Sequence, residues 1–409
     1  MAVVPFVMVV VPRVAAVVLA CGLLIATCTP SAASPEFAGW VQALWPKAAK
    51  AGISAQTYAA AFDGVTPEFE ILEKLDNQPE HEAALWDYLD GMVSEKRLRI
   101  GGEKLAELKP VLDAVEAFYG VPRQVIVAVW GIETTFGTDL GERNIIRSLA
   151  TLGWRGGRRA KFGEQQLIAA LKILEHGDVA PAGLKGSWAG AMGHTQFIPT
   201  TYNQYAVDFD HDGRRDIWTN LYDALGSAAH YLARSGWREG EPWGYEVILP
   251  AGFDYGLSGL SVRKPLAYWH DLGVTRRDGR PFGDLAMDGT VLLPVGAHGP
   301  AFMVFRNFRA ILRYNSATAY ALAVGQLADS LAGLSGPKVA WPRDQRPLRR
   351  AEREELQRLL AQNGYKIGTA DGVIGRETRA ALRHFQSARG LPADGFPSLQ
   401  ALEFLRTGR

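Results

Sequence analysis

The sequence predicts a mainly α-helical protein with a small β region, an α+β fold, followed by a small separate helical unit. Apolar residues recur every three or four positions from Phe37 to Tyr119, as in amphipathic helices. Between Trp243 and Phe308 the pattern changes to short β-like runs separated by Gly- and Pro-rich turns. With 409 residues and 47% hydrophobic content, the chain is long enough for two or three folded units.

The first 33 residues have the features of a secretory signal peptide. The apolar run from Val14 to Ala26 is too short to span a membrane comfortably, and small residues precede the expected cleavage site after Ala33. Both cysteines, Cys21 and Cys28, lie in this segment, so the mature chain would contain none. Lipidation at Cys21 is the alternative. In both cases we expect an exported protein.

We divide the mature chain into a main domain of residues 34–334, a linker of residues 335–347 and a terminal module of residues 348–409. The linker is rich in Pro and Gly, which favours a flexible connection. Residues 337–409 hold 14 Lys and Arg against 8 Asp and Glu, although the formal charge of the whole chain is only +1. The tail is therefore basic, and the near-neutral chain gives no reason to expect nucleic acid as a partner.

Residues 121–137 predict a buried helix that ends in one carboxylate. Pro122 suits the first turn, a long apolar run follows, and Gly137 provides a stop. Apolar surroundings and the negative end of the helix dipole both raise the pKa of a carboxyl such as that of Glu133. Glu133 is thus a candidate proton donor; the alternative is that it only marks where the helix reaches water.

The segment of residues 185–200 predicts a loop that lines a ligand. Three glycines with small neighbours allow the backbone to approach another group closely. Ser187 and Gln196 supply polar contacts there. We interpret His194 as a packing or hydrogen-bonding residue, because the mature chain has no cysteine nucleophile and no convincing Ser-His-Asp order.

A run of aspartates after residue 207 resembles the first part of an EF-hand calcium loop. Carboxylates stand at loop positions 1, 3, 5 and 9, and Gly213 stands at position 6, where the loop turns sharply. Position 12 is Thr219 instead of Glu, so the last carboxylate must come from elsewhere, with Asp223 the nearest candidate. An Asx-rich turn without metal is the alternative. The predicted Ca²⁺ ligands in the loop are Asp208, Asp210, Asp212 and Asp216.

Four motifs in this order resemble the family-B lytic murein transglycosylases of the bacterial cell wall. They are Gly-Ile-Glu-Thr around Glu133, the Gly-rich segment of residues 186–199, Tyr205–Phe209 at the start of the calcium loop, and Arg313–Asn315 with Tyr320 further on. The resemblance covers nearly the whole secreted chain up to about residue 334. It implies a lysozyme-like core in which a helical lobe and a small β lobe enclose a peptidoglycan groove.

The resemblance also implies roles for particular residues. Glu133 would be the sole catalytic acid and base. The implied calcium ligands are the loop aspartates at positions 1, 3 and 5, the Arg214 carbonyl and Asp223. The residues implied to line the groove around the cleaved bond are Ser187, Gln196, Tyr231, Tyr314 and Tyr320.

The implied reaction is non-hydrolytic cleavage of the MurNAc-GlcNAc β-1,4 bond, which leaves a 1,6-anhydromuramyl end. Glycoside cleavage usually uses two carboxylates, whereas only Glu133 is evident here, with Asp139 expected in a loop. A hydrolytic muramidase and a non-catalytic wall-binding protein are the alternatives.

The terminal module resembles a three-helix peptidoglycan-binding unit. Its Asp-Gly pairs at residues 371–372 and 394–395 suggest a degenerate internal repeat. The same residues would also explain packing without any ligand. We expect a periplasmic monomer whose partner is the peptidoglycan glycan strand, with Ca²⁺ as a structural ion and no organic cofactor.

Overall fold

The structure is a computed structural model that describes residues 35–71 and 83–408. The predicted signal peptide and both cysteines lie outside the described residues. Among the described residues, no helix is long and apolar enough to cross a membrane. The α-helices in these ranges are α1 (Pro35–Lys50), α2 (Ala55–Phe62), α3 (Leu85–Met92), α4 (Glu95–Glu107), α5 (Lys109–Tyr119), α6 (Arg123–Thr134), α7 (Ile145–Arg155), α8 (Ala160–His176), α9 (Pro199–Tyr205), α10 (Leu221–Arg234), α11 (Leu266–Asp271), α12 (Arg306–Tyr314), α13 (Thr318–Leu331), α14 (Arg350–Gln362), α15 (Arg376–Ala388) and α16 (Leu399–Thr407).

The main domain has two helical cores that meet at α10, which places Leu225 in the first and Ala224 in the second. In the first core, α6 packs with α10 and α13, and its residues Val125–Trp130 are almost fully buried. In the second, α7 and α8 pack together with α1, α2 and α9. The mainly helical fold predicted from the apolar spacing is confirmed.

A five-stranded antiparallel sheet forms the β region. The strands are β1 (Arg143–Asn144), β2 (Lys185–Gly186), β3 (Gly244–Ile248), β4 (Lys264–Pro265), β5 (Thr275–Arg276), β6 (Asp288–Leu292) and β7 (Ala301–Val304). The sheet order is β4-β6-β7-β3-β5, while β1 and β2 form a separate pair. One face of the sheet covers a core around Trp269, whose indole donates a hydrogen bond of 3.1 Å to the Gly289 carbonyl. The β-like runs at residues 245–250, 291–294 and 301–305 of the sequence overlap β3, β6 and β7.

The segment around Tyr314 is a break between two helices. Helix α12 ends at Tyr314, and α13 begins at Thr318. The Asn315 side chain accepts a hydrogen bond of 3.1 Å from the Ala317 amide, which stabilises the turn between them. This break places Tyr314 and Tyr320 on different helices that face the same region.

The segment predicted to be a flexible linker is attached to the main domain. The amides of Lys338 and Val339 donate to the Glu246 carboxylate at 2.7 and 3.0 Å. The Trp341 ring stacks against Phe302 at 6.3 Å between ring centres. Because these contacts satisfy backbone groups and bury an aromatic ring, the Pro and Gly content does not produce a free tether; that expectation is wrong.

The terminal module contains α14, α15 and α16 and two turns built in the same way. The Gln357 side chain accepts from the Gly372 amide, and Gln386 accepts from the Gly395 amide, each at 2.8 Å. In both turns the preceding aspartate accepts from the amide two residues on. The predicted internal repeat is confirmed.

Among the described residues, the second of these turns docks on the main domain and the first does not. Asp394 accepts a hydrogen bond of 2.7 Å from the Ala297 amide, and Phe396 packs in a cluster with Val295. In the first turn, Val373 is 68% exposed. The module therefore uses one of its two equivalent turns for attachment.

Candidate active site

Helix α6 ends in an unusual backbone segment beside Glu133. Thr135 and Phe136 have φ values of 50° and 57°, and Gly137 follows with 84°. Left-handed backbone at two residues other than glycine is uncommon and strained. It turns the Phe136 ring back onto Gly131, where an added Cβ would lie 2.6 Å from the ring. The helix thus ends at Thr134, three residues before the predicted stop at Gly137, because this packing overrides the glycine signal.

Glu133 is a partly buried carboxyl with a single hydroxyl donor. The Tyr320 hydroxyl donates to Glu133 Oε1 at 2.6 Å. Burial raises the pKa of Glu133 to about 7, while the hydrogen bond from Tyr320 lowers it to a smaller extent. A carboxyl with this pKa can both donate and accept a proton near neutral pH.

Three of the tyrosines predicted to line the groove form one aromatic cluster beside Glu133. The rings of Tyr314 and Tyr320 stack at 6.3 Å, and those of Tyr231 and Tyr314 meet edge to face at 4.9 Å. The Tyr314 hydroxyl donates to the Thr195 carbonyl at 2.7 Å, and the Tyr231 hydroxyl donates to a backbone carbonyl of α12. These hydrogen bonds connect α10 and α12 to the Gly-rich loop, and the stacking of Tyr320 on Tyr314 adds α13.

Ser187 and Gln196 help to fold the Gly-rich loop that carries them. Ser187 Oγ accepts from the Ala191 amide at 3.0 Å. Gln196 has a φ of 50°, and its side-chain amide donates to the carbonyls of Gly193 and Leu140 at 2.9 and 3.2 Å. Both side chains are partly buried.

The loop glycines allow close packing of backbone against backbone. A Cβ at Gly186 would lie 2.1 Å from the Ala191 carbonyl oxygen, and one at Gly193 would lie 2.5 Å from that of Ile217. The sequence correctly indicated a close approach there. The partner is the protein itself, however, and not a ligand.

His194 has the hydrogen-bonding role expected from the sequence. The Trp130 indole donates to His194 Nδ1 at 2.9 Å, so this nitrogen carries no proton. The ring also bonds the backbone of Trp218, and burial lowers the pKa of His194. A neutral imidazole held from both sides orients the loop against α6.

Four aspartates bring their carboxylate oxygens within 4.8 Å of one another. They are Asp208, Asp210, Asp212 and Asp223. The loop folds around itself because Asp208 accepts from the amides of Asp212 and Gly213 at 3.0 and 2.9 Å. His211 and Gly213 have φ values of 64° and 91°, which produce the sharp turn. Hard oxygen donors clustered in this way suit Ca²⁺.

Asp223 and Asp216 differ in their relation to this cluster. Asp223 is fully buried, and its two oxygens accept from the amides of Phe209 and Asp216 at 2.7 and 2.8 Å. Burial raises the pKa of Asp223 to about 6. Asp216 is not in the cluster; its side chain accepts from Trp218 and from Thr219 and so closes the following turn. Asp216, at loop position 9, therefore stabilises a turn in this structure and does not join the aspartate cluster.

Two family models match the chain. One, described as a transglycosylase SLT domain, matches residues 36–329, and one described as a putative peptidoglycan binding domain matches residues 349–405. The chain belongs to the transglycosylase SLT family.

Known proteins resemble this transglycosylase in sequence and structure. Membrane-bound lytic murein transglycosylase B of Escherichia coli (strain K12) is 36% identical over 215 residues, 52% of this chain and 58% of that protein. The chain thus spans little more than half the length of that relative.

Two solved structures extend the comparison. SltB3 from Pseudomonas aeruginosa, in complex with NAG-anhNAM-pentapeptide, is 51% identical with a TM-score of 0.87. The match covers 91% of this chain and 99% of that chain. The lytic transglycosylase Slt35 of Escherichia coli, in complex with calcium, is 30% identical with a TM-score of 0.62, covering 73% of this chain and 93% of that one. The resemblance inferred from the four motifs is confirmed, as is the lysozyme-like fold.

Two residues near Glu133 were not predicted from the sequence. The Glu133 carboxylate raises the pKa of Tyr88, although burial has the larger effect. Arg97 donates to the Gly131 carbonyl near the end of α6. Both come from elements far along the chain from their partners, and no local pattern distinguishes them from surface residues.

Asp139 does not form a carboxylate pair with Glu133. It is exposed, and its amide donates to the Thr134 carbonyl at 3.0 Å, after the end of α6. The loop position expected from the sequence is confirmed. The causes that shift the pKa of Glu133 are burial and Tyr320, and a second carboxylate is not among them.

Proposed function

We propose that this protein is a lytic transglycosylase that cleaves the MurNAc-GlcNAc β-1,4 bond of peptidoglycan and leaves 1,6-anhydromuramyl ends. The observation that carries the proposal is the single partly buried carboxyl of Glu133, with a pKa of about 7 and the Tyr320 hydroxyl as its donor. The solved complex of SltB3 with an anhydromuramyl ligand supports the product chemistry.

In the first step Glu133 acts as a general acid. It gives its proton to the glycosidic oxygen while the bond from that oxygen to the anomeric carbon breaks. No second carboxylate is needed if the N-acetyl group of the muramic acid stabilises the positive charge that develops at the anomeric carbon. The tyrosine cluster excludes water on this side of the site.

In the second step the same group acts as a base. The Glu133 carboxylate takes the proton of the 6-hydroxyl of muramic acid, and that oxygen forms the new bond to the anomeric carbon. The proton of the 6-hydroxyl thus restores the acid form of Glu133, the proton given in the first step stays on the released hydroxyl, and no water is consumed. The Tyr320 hydrogen bond stabilises the carboxylate between the two steps.

The other groove residues are proposed to position the glycan strand. Tyr314 and Tyr231 are oriented by hydrogen bonds to backbone carbonyls and offer ring faces to sugar. Ser187 and Gln196 stabilise the loop that forms the facing wall. We therefore expect substitutions at these positions to weaken substrate binding or positioning more than proton transfer.

We propose Ca²⁺ as a structural ion of the aspartate loop. Asp208, Asp210, Asp212 and Asp223 fit a site with hard oxygen donors, and Arg214 would add its carbonyl. The clustered negative charge favours a divalent cation, and the loop carries Phe209, which packs against Tyr119 of α5 at 5.9 Å. Asp216 would act on the turn behind the site. A bound ion would neutralise the cluster and fix the loop, while proton transfer remains with Glu133.

The terminal module is proposed to bind peptidoglycan, and the whole chain to act in the periplasm as a monomer after export. Removal of residues 348–409 should slow digestion of intact sacculi, while cleavage of short soluble muropeptides stays nearly unchanged. The reason is effective concentration, because a bound module keeps the groove near the polymer. If removal of the module lowers the cleavage rate of sacculi and of muropeptides equally, the module instead supports the catalytic fold.

Mass spectrometry of the products from purified sacculi tests the reaction. Anhydromuramyl ends are expected from the wild-type protein. Products heavier by one water would identify a hydrolytic muramidase, and intact sacculi would indicate a binding protein without activity.

A further inference from the structure

Helix α3 carries Tyr88 near the catalytic carboxyl but has little stability of its own. It contains eight residues, Leu85–Met92, one of which is Gly91. Isolated helices shorter than about 12–15 residues are marginal in water, and glycine weakens a helix further. The helix follows Ala84, whose methyl group cannot accept a capping hydrogen bond. Contacts with other segments must therefore hold α3 in place.

Two faces of α3 make different contacts. The residues of the first face, which pack into the core around α6 and α13, are Leu85, Tyr88, Leu89 and Met92. The second face carries Trp86 and Asp90, which are four residues apart and therefore lie on the same side of the helix. Contacts at this second face fix the rotation of α3 about its axis, and so they fix the position of Tyr88.

The linker contacts the second face through Trp341 and Arg343. The Trp341 ring packs in a small apolar cluster with Trp86 and stacks on Phe302 of the sheet at 6.3 Å between ring centres. The Arg343 guanidinium donates to both oxygens of Asp90, at 2.7 and 2.9 Å. The Arg343 amide donates to the Trp341 carbonyl at 2.8 Å, which keeps the two linker residues side by side. The linker therefore joins α3 to the sheet.

The pair of Asp90 and Arg343 orients the helix more than it stabilises the fold. Both side chains are about half exposed, and exposed ion pairs contribute little to stability. The planar guanidinium nevertheless fixes two oxygens at once, which defines a direction as well as a contact. Its hydrogen bonds lower the pKa of Asp90, so the carboxylate form is favoured. Loss of the pair should change the placement of α3 and leave the protein folded.

A second arginine connects α3 to the end of α6. Arg97 Nε donates to the Gly91 carbonyl in the last turn of α3 at 3.2 Å, and Arg97 Nη1 donates to the Gly131 carbonyl of α6. Gly131 precedes Glu133 by two residues. A shift of α3 would therefore reach the helical turn that carries the catalytic carboxyl.

We propose that the linker positions the catalytic site, because Trp341 and Arg343 hold α3 where Tyr88 and Arg97 support Glu133. Trp341 and Arg343 act through α3 and are positioning residues. This role rests on the proposed transglycosylase reaction. It belongs to the linker, which remains in a protein that lacks only residues 348–409.

Exchange of the charges in the ion pair tests the proposal in the full-length protein. Arg343→Glu should lower kcat on a short soluble muropeptide by about threefold to tenfold, less than the roughly 10² that a 1 Å misplacement can cost. Asp90→Arg should have a similar effect. The double variant should recover most of the lost rate, because it restores the pair with opposite polarity. Tm should change little in all three variants, since the pair is exposed.

Arg99→Glu is the matched control for this experiment. Arg99 is also an exposed arginine that pairs with a carboxylate, that of Glu103 on the same helix, α4. This variant should keep kcat within about twofold of the wild type. If the charge exchange recovers no activity, or if the rate falls only as far as Tm does, the effect is a general loss of structure and the proposal is wrong.

Hydrogen exchange of the α3 amides provides a measurement that does not depend on the reaction. Exchange in Arg343→Glu should be at least about threefold faster than in the wild type, because α3 is held less firmly, whereas Arg99→Glu should not change it. Unchanged exchange, or unchanged kcat, in Arg343→Glu would overturn the proposal. A wild-type protein that releases no anhydromuramyl product would contradict the proposed function instead, and the exchange rates would still decide whether the linker holds α3.

Discussion

Glu133 and Asp223 are both carboxyls whose pKa is raised by burial, yet their surroundings suit them to different tasks. Glu133 is at the last turn of α6 and has one hydroxyl donor, Tyr320. Asp223 is in the first turn of α10, and backbone amides hold both of its oxygens beside three other aspartates. A carboxyl with few donors at the negative end of a helix can exchange a proton. One fixed by amides in an anionic cluster is suited to a cation.

The largest expected effect comes from Glu133→Gln, which keeps the shape of the side chain but cannot exchange its proton. Activity should fall by about 10² to 10⁴ or more, because one group serves both steps. The measurement is the rate of release of anhydromuramyl products. Glu142→Gln is the control, since Glu142 is 84% exposed and pairs with Lys185. Substantial turnover by Glu133→Gln would contradict the assignment.

Tyr320→Phe should separate the effect of burial, which raises the pKa of Glu133, from that of the Tyr320 hydrogen bond, which lowers it. The wild-type rate should fall above about pH 7, as Glu133 loses its proton. Without the Tyr320 hydroxyl, the pKa of Glu133 rises, so this alkaline limb should move to higher pH, and the rate should fall about tenfold. Tyr268→Phe, at a more exposed position, should change neither. A limb that stays in place would show that this hydrogen bond does not influence the titration.

Calcium should stabilise the protein through the aspartate loop. At a free concentration of 100 times Kd, a bound ion adds about 2.7 kcal/mol, which corresponds to about 4 °C in Tm for a domain of about 300 residues. Asp208→Asn together with Asp212→Asn should abolish the response, while Asp271→Asn, which is 82% exposed, should retain it. A chelator that leaves Tm unchanged in protein known to contain metal would identify the loop as a simple turn.

The smallest effect concerns stability against pH. Folding raises the pKa of Glu133 from 4.5 to about 7, so the folded protein holds this proton more tightly than the unfolded chain does. The stability that the protonated group contributes is therefore fully present below about pH 4.5 and is lost as the pH rises through about 7. Allowing for its partial exposure, Glu133→Gln should be more stable than wild type by about 1–2 kcal/mol at pH 8 and equal to it at pH 4. Denaturant titrations at the two pH values measure this. If the variant and the wild type differ in free energy of unfolding by the same amount at pH 4 and pH 8, the substitution acts through packing and not through the titration of Glu133.

The sequence predicted best what depends on neighbouring residues. The apolar run before Glu133 indicated a buried helix, and the spacing of Asp208, Asp210 and Asp212 indicated their convergence, because both are local properties. The prediction for Asp216 relied on the same spacing, but the structure uses its side chain to close a turn.

Other features depend on contacts between distant segments. Tyr88 and Arg97 reach the end of α6 from α3 and α4, and the attachment of the linker depends on Glu246 in the sheet. Periodicity and composition carry no information about such contacts. The family resemblance supplied the tyrosine cluster, which residue patterns alone would have explained as packing.

The duplicated turn of the terminal module has a consequence for its valency. Two copies of one turn give the module two equivalent faces, but the Asp394 copy is occupied by the main domain. The Asp371 copy, with Val373 exposed, stays accessible. If these turns are the faces that contact peptidoglycan, the attached module should therefore bind with a stoichiometry of one.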